Sequence, residues 1–284
     1  MSLYAGLDIG GTKFIAASSD NTGKIIRRTK APTPLELEDG LNLLNDMITE
    51  VSEGKKLTGI GTAIGGPLDW KQGVVSPLHQ PKWRNVPLKK RMEKQWNCPF
   101  SVDVDTNIAA LAEYYVNGES KGKLLYLTIS TGMGGGFIVD GKIYRGMNGE
   151  HPEVGHQSVN FKCSDPSLVT CECGAKDCLE ALVSGNGIRR IYNKPPEKLN
   201  ENEWEEVTYN LAQGLRNLAT IYLPDEIVLG GGIALGRGKP LISGIKKIMK
   251  KNIKLVPIPN VRFSGLGYDT VLLGALYAAK YGVH

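Results

Sequence analysis

One acidic side chain, Asp105, lies within Ser101-Val102-Asp103-Val104-Asp105-Thr106-Asn107, after an apolar run and before the amphipathic segment Ile108 to Tyr115. The pattern predicts a buried strand that turns into a helix with Asp105 at the turn. Strand ends of this kind present side chains to a crevice in α/β sheets. A carboxylate there can take the proton from a substrate hydroxyl. The plainer alternative is a helix cap, a role that Asp often fills.

Two glycine-rich stretches offer that carboxylate a partner. Asp8-Ile9-Gly10-Gly11-Thr12-Lys13 has the chemistry of a phosphate cradle. Glycine lets backbone N–H groups approach oxygens closely, Thr12 adds a hydroxyl and Lys13 a charge. Asp8 can hold Mg²⁺ through water, because that ion keeps several waters and takes few carboxylates. The stretch fits neither the P-loop pattern nor the dinucleotide fingerprint. A second loop, Ser130 to Gly136, carries Thr131, Gly132 and Gly134 among its glycines. A plain β-turn is the competing account for either loop. Gly230-Gly231-Gly232, at a strand end, would admit the flat face of a nucleoside, and a hinge is the alternative there.

His156, Cys171, Cys173 and Cys178 follow the spacing H-x14-C-x-C-x4-C. One imidazole and three thiolates make a closed tetrahedral set for Zn²⁺, which predicts a structural metal. Free thiols in a reducing compartment are the alternative, and Cys163 could replace one ligand. Glu153 and Glu180 flank the cluster. A metal clip would pin both carboxylates as acceptors for sugar hydroxyls; ordinary surface charges are the alternative.

These groups need elements to position them. Strands are predicted at Leu3–Asp8, Phe14–Ser18 and Lys24–Lys30, then a helix over about 36–53 and a buried strand at Gly59–Ile64. An irregular stretch over 65–85, a helix from Pro87 to Trp96 and the strand before Asp105 follow. The order strand, glycine loop, strand, tight turn, strand then recurs from Leu124 to Tyr144. Helices over about 203–222, 241–251 and 270–281 and strands near 226–229 and 261–263 complete the pattern. Two matched halves facing each other would make a cleft with a glycine loop on each wall.

At 284 residues with 41% apolar content, the chain can build one large or two ordinary domains. The net charge of +5 is spread out, apart from Lys246, Lys247, Lys250, Lys251 and Lys254. That spacing reads as the wet face of a helix rather than a nucleic-acid stripe. No run approaches the ~18 apolar residues of a membrane span, and no leader pattern opens the sequence. A cytoplasmic protein is expected. Five Cys, three of them crowded together, favour metal over a disulfide framework.

With these residues assembled, the chain resembles the ROK family of repressors and sugar kinases over nearly its whole length. DIGGTK at 8–13 and STGMGGG at 130–136 are similar to the family's phosphate motifs, and DVDTN at 103–107 to its catalytic block, which places the base on Asp105. HPEVGH at 151–156 and CECGAKDCLE at 171–180 resemble its sugar and zinc signatures, and Gly65-Gly66 a sugar-contacting turn. The resemblance implies Glu153, His156 and Glu180 as sugar contacts. It also implies an actin-like, ribonuclease-H-like fold of two α/β domains binding ATP and a sugar, and a homodimer. The expected division is 1–117 with the last helix, 268–284, against 118–267. Family glucokinases usually carry Asn where this chain has Val104; Val104 and His151-Pro152 resemble the fructokinase branch. The seven residues before Asp8 leave no room for the DNA-binding module of repressor members, which favours a kinase acting on O6 of a hexose. A sugar-sensing regulator and an N-acyl amino-sugar kinase (N-acetylmannosamine or N-acetylglucosamine) are the alternatives.

Overall fold

Tyr4–Ile9 and Lys13–Ser19 are joined across Gly10-Gly11-Thr12, and in the computed structural model they pair antiparallel with Ile9 opposite Phe14. The structure describes residues 2–116 and 122–284. The chain divides into two units: Met1–Ser120 with Gly141–Glu150 and Leu266–His284, and Lys121–Asp140 with His151–Gly265. Residues 141–150 therefore lie with the first unit rather than with the second. The boundary expected at 117/118 falls outside the described residues.

In the first unit, Ile25–Pro32 extends the antiparallel pair on one side. Gly59–Ile64 and then Phe100–Val104 add parallel strands on the other. Apolar side chains at Leu7, Ile9, Phe14, Ile60, Ile64 and Val102 form a core with the helices Leu37–Ser52 and Leu88–Trp96. The helices Asp105–Val116 and Thr270–Tyr281 also belong to this unit, and the last helix contacts the strands Tyr4–Ile9 and Gly59–Ile64. It can do so because glycine occupies the contact points. A Cβ at Gly61 would stand 2.0 Å from the Ala275 carbonyl oxygen, and one at Gly274 1.9 Å from that of Ile108. The alternation Gly59, Gly61 in this strand is thus a groove for a helix.

The stretch 65–85, expected to be irregular, contributes to a small antiparallel sheet of Leu68–Asp69, Val74–Val75 and Val86–Pro87. Trp83 anchors it. The indole is fully buried, meets Phe14 edge-on at 6.1 Å and lies against Gly40. Strands two residues long carry no alternation to read, so the sequence pattern does not reveal them.

The second unit repeats the opening motif. Lys123–Ile129 pairs antiparallel with Met133–Val139 and parallel with Glu226–Gly230, which pairs in turn with Asn260–Phe263. The tight turn expected at Asp140-Gly141 is present, with both residues at positive φ (49° and 80°), the geometry of the hairpin turns. The helix Glu201–Tyr222 starts with a capping box: the Asn200 side chain accepts from the Glu203 amide at 3.0 Å, and Glu203 accepts from the Asn200 amide at 2.7 Å. Its buried face, with Trp204, Val207, Leu211 and Leu215, packs into the core beside Leu125, Leu127 and Ile227. The helix Lys239–Asn252 and the residues just beyond it keep Lys246, Lys247, Lys250, Lys251 and Lys254 in solvent, as the spacing predicts.

Candidate active site

In the first unit, three neighbouring parallel strands end at the same edge of the sheet. Ile9 lies beside Ile64, and Ile64 beside Val104. The residues that follow them, Gly10, Gly65 and Asp105, therefore converge. Together with Asp8, Gly11, His79 and Gln80 they line a cavity of about 80 Å³. Asp105 opens its helix as an exposed residue, and its Oδ1 accepts from the Thr106 amide at 2.8 Å. Burial, and then the neighbouring Asp105 carboxylate, push Asp8 up to about 6, against the opposing charges of Lys13 and Arg28. Two carboxylates in one small pocket repel each other and favour a bound proton or cation.

The first glycine loop is held rigidly from behind. The Gly10 carbonyl accepts from Thr33 Oγ1 at 2.7 Å and from Gln80 Nε2 at 3.1 Å, while the Gly10 amide donates to Lys13 O at 3.1 Å. Gln80 is buried, and its Oε1 has no partner among the described residues. Thr12 and Lys13 face solvent. Gly66 sits beside Val104: a Cβ there would be 3.6 Å from Val104 Cγ1. Gly65 reaches the cavity, whereas Gly66 is not among its lining residues.

The second unit holds a larger cavity of about 520 Å³, whose lining includes Ser130, Thr131, Gly185, Trp204, Gly232 and Arg237. Thr131 and Gly232, two of the residues expected to hold nucleotide, thus meet in one place. The loop is fixed by Ser130, whose carbonyl accepts from the Gly185 amide at 2.7 Å, and by Glu180 Oε2, which accepts from the Met133 amide at 2.8 Å. Gly132 is packed under Glu180. Gly134 lies within the strand, opposite Thr128. Gly231 has a φ of 86°, and a Cβ there would come within 2.3 Å of the Ile129 carbonyl oxygen, so only glycine fits this crossing of two backbones.

His156, Cys171, Cys173 and Cys178 bring one donor atom each to within 4.8 Å of one another. His156 Nδ1 is 3.4 Å from Cys171 Sγ, and Cys173 Sγ is 3.2 Å from Cys178 Sγ. One nitrogen and three sulfurs so gathered fit a tetrahedral Zn²⁺. Cys163 lies apart, donating to the Asp165 carbonyl, and Cys98 packs against the core of the first unit. Glu153 is exposed, 3.4 Å from His151 Nε2.

A family model described as the ROK family matches residues 4–281. The chain belongs to the ROK family. A glucokinase of Halalkalibacterium halodurans is 28% identical to this ROK chain, over 98% of this chain and 94% of its own length. A fructokinase of Zymomonas mobilis is also 28% identical, over 95% and 90%. The crystal structure of a ROK family glucokinase from Streptomyces griseus in complex with glucose and AMPPNP superposes with a TM-score of 0.77, at 27% identity, covering 99% of this chain and 100% of that one. The fold is the two-domain actin-like, ribonuclease-H-like ATPase fold implied by the sequence.

Among the cavity residues that sequence reasoning did not single out are His79 and Gln80 beside Asp105, and Trp204 and Arg237 beside Thr131. A signal existed for the first pair, since a long stretch rich in aromatic residues and bearing a histidine is rarely idle. For Trp204 and Arg237, which stack at 5.1 Å, helical spacing predicts only core and surface.

Proposed function

We propose that this chain transfers the γ-phosphoryl group of ATP to a primary hydroxyl, O6, of a hexose such as glucose or fructose. The observation that carries the reading is the convergence of Asp105 and Asp8 with the first glycine loop and Gly65 on one cavity, in a chain of the ROK family. Asp105 orients the sugar hydroxyl and accepts its proton as the oxygen bonds to phosphorus and ADP leaves. General-base help of this kind is worth ~10²–10⁴ in rate. Phosphoryl transfer otherwise depends on alignment and charge neutralisation, which Lys13, Thr12, Thr131 and the glycine amides supply. Asp8 would hold Mg²⁺, largely through water, and the bound ion would neutralise phosphate charge.

The nucleoside fits the cavity of Thr131 and Gly232, with the Trp204–Arg237 pair beside it. Glu153, Glu180 and His156 contact the sugar, and Zn²⁺ on His156, Cys171, Cys173 and Cys178 shapes that loop. Thiolate ligation requires a reducing setting, which supports a cytoplasmic protein; none of the described helices is long and apolar enough to cross a membrane. The family resemblance supports a homodimer.

The deciding experiment is ADP release from ATP and Mg²⁺ with a panel of hexoses, ketohexoses and N-acetylated amino sugars. Turnover with at least one hexose is the expected result. Sugar binding by calorimetry without any ADP release would instead establish a sugar-sensing regulator. Preferential turnover of an N-acetylated amino sugar would reassign the acceptor class.

A further inference from the structure

Asp103 sits two residues before Asp105 and is 1% exposed, at the next-to-last position of the strand Phe100–Val104, where a charge is costly. Both of its oxygens are engaged. Oδ1 accepts from the Val104 amide at 2.7 Å and from Asn107 Nδ2 at 2.9 Å; Oδ2 accepts from the Arg145 guanidinium. Arg145 is itself only 9% exposed and lies over the Trp70 ring at 4.0 Å. The same indole packs on Gly149, where a Cβ would stand 2.5 Å from Trp70 Nε1 at a φ of 94°. One carboxylate thus ties together the end of a strand, the helix that Asp105 opens, the small sheet after Gly66 and the segment Gly141–Glu150.

A buried ion pair is poor evidence for stability, because desolvation offsets much of the attraction; setting one arrangement among several is a better-attested role. Here the arrangement concerns the proposed reaction. Asp105 lies two residues beyond one partner of the pair. The segment that Arg145 pins runs by chain connection straight into His151-Pro152-Glu153, where the chain enters the second unit. We propose that Arg145, acting through Asp103 and Trp70, is a positioning residue for sugar phosphorylation. It holds the backbone that aims Asp105 and anchors the segment that delivers Glu153 to the sugar. This inference rests on the kinase reading above.

Steady-state kinetics on the full-length protein test it. Arg145→Gln should raise the sugar KM and lower kcat, each by about tenfold or more, as small misplacements of reacting groups do. The KM for ATP should stay within about threefold, a split that separates positioning from general loss of fold. Arg145→Lys keeps a countercharge for Asp103 but loses the planar fork and the stacking, so it should recover only part of the loss. Asp103→Asn should cost far less in the Arg145→Gln background than alone, because partners in one unit are not additive. A sugar KM and kcat within about twofold of wild type for Arg145→Gln, or equal losses toward ATP and sugar, would overturn the proposal. If Arg145→Gln does not fold, Arg145→Lys decides: an unchanged sugar KM overturns the proposal, and a selective rise supports it. Wild-type protein without sugar-dependent ADP release would sink the kinase reading and this inference together, whereas an active wild type with unaffected variants sinks this inference alone.

Discussion

His156 turns Nδ1 toward Cys171 Sγ at 3.4 Å and leaves Nε2 facing Glu153 Oε2 at 4.0 Å. The ring thus presents one nitrogen to the cysteine cluster and the other to a carboxylate proposed to bind sugar. Metal-bound imidazoles use their second nitrogen in this way to fix ring orientation.

That relationship makes zinc and sugar binding covary. Cys173→Ser should lower zinc content, read by elemental analysis, and weaken hexose affinity by about tenfold, the low end for damage to a metal's supporting groups. Undiminished hexose affinity in zinc-free protein would refute the link.

Asp105→Asn keeps the side chain's size and removes its basicity. Hexose binding by calorimetry should persist, while turnover should fall by at least ~10². Near-normal ADP release would show that Asp105 serves only to start its helix.

Asp8 supplies a pH test. Its pKa is raised by burial and by Asp105 from 3.8 to about 6. A raised acid favours the folded state most below its unfolded value, and that advantage is lost as pH climbs through the folded value. Without Mg²⁺, Asp8→Asn should therefore be more stable than wild type above about pH 6, by up to about 3 kcal/mol, with the gap closing toward pH 4. With Mg²⁺ and ATP the carboxylate must ionise, so wild-type turnover should decline as pH drops through about 6. Identical melting profiles from pH 4 to 8 would contradict the arrangement.

Arg237 pairs with Glu201 and lies over Trp204 at the wall of the larger cavity. Arg237→Ala should raise the ATP KM by about fivefold, in line with loss of one partly desolvated cation–π contact. The hexose KM should not move, and a shift confined to the hexose would place the nucleoside elsewhere.

Legibility in the sequence followed the length of each signal. Tyr4–Ile9, Gly59–Ile64 and Phe100–Val104 are short apolar runs closed by Gly10, Gly65 and Asp105, and such punctuation reads directly as strand ends. The gathering of His156, Cys171, Cys173 and Cys178 was equally readable from their spacing. Trp204 and Arg237 were not legible, since their meeting depends on how the start of one helix packs against the end of a later one, Gly232–Arg237. Nor was the allegiance of Gly141–Glu150. Its links to the first unit include Arg145 on Asp103 and Trp70, Gly149 against the same indole and the Ile143 amide on the His284 carbonyl, partners far away in sequence that no local pattern announces.

The glycine groove that receives Thr270–Tyr281 has a consequence for biosynthesis. A nascent chain emerges in order, yet the strands Tyr4–Ile9 and Gly59–Ile64 wait for a helix made much later to seal them. The second unit precedes that helix and can fold while the chain is still tethered to the ribosome, but the opening sheet stays unsealed until Thr270–Tyr281 has emerged as well.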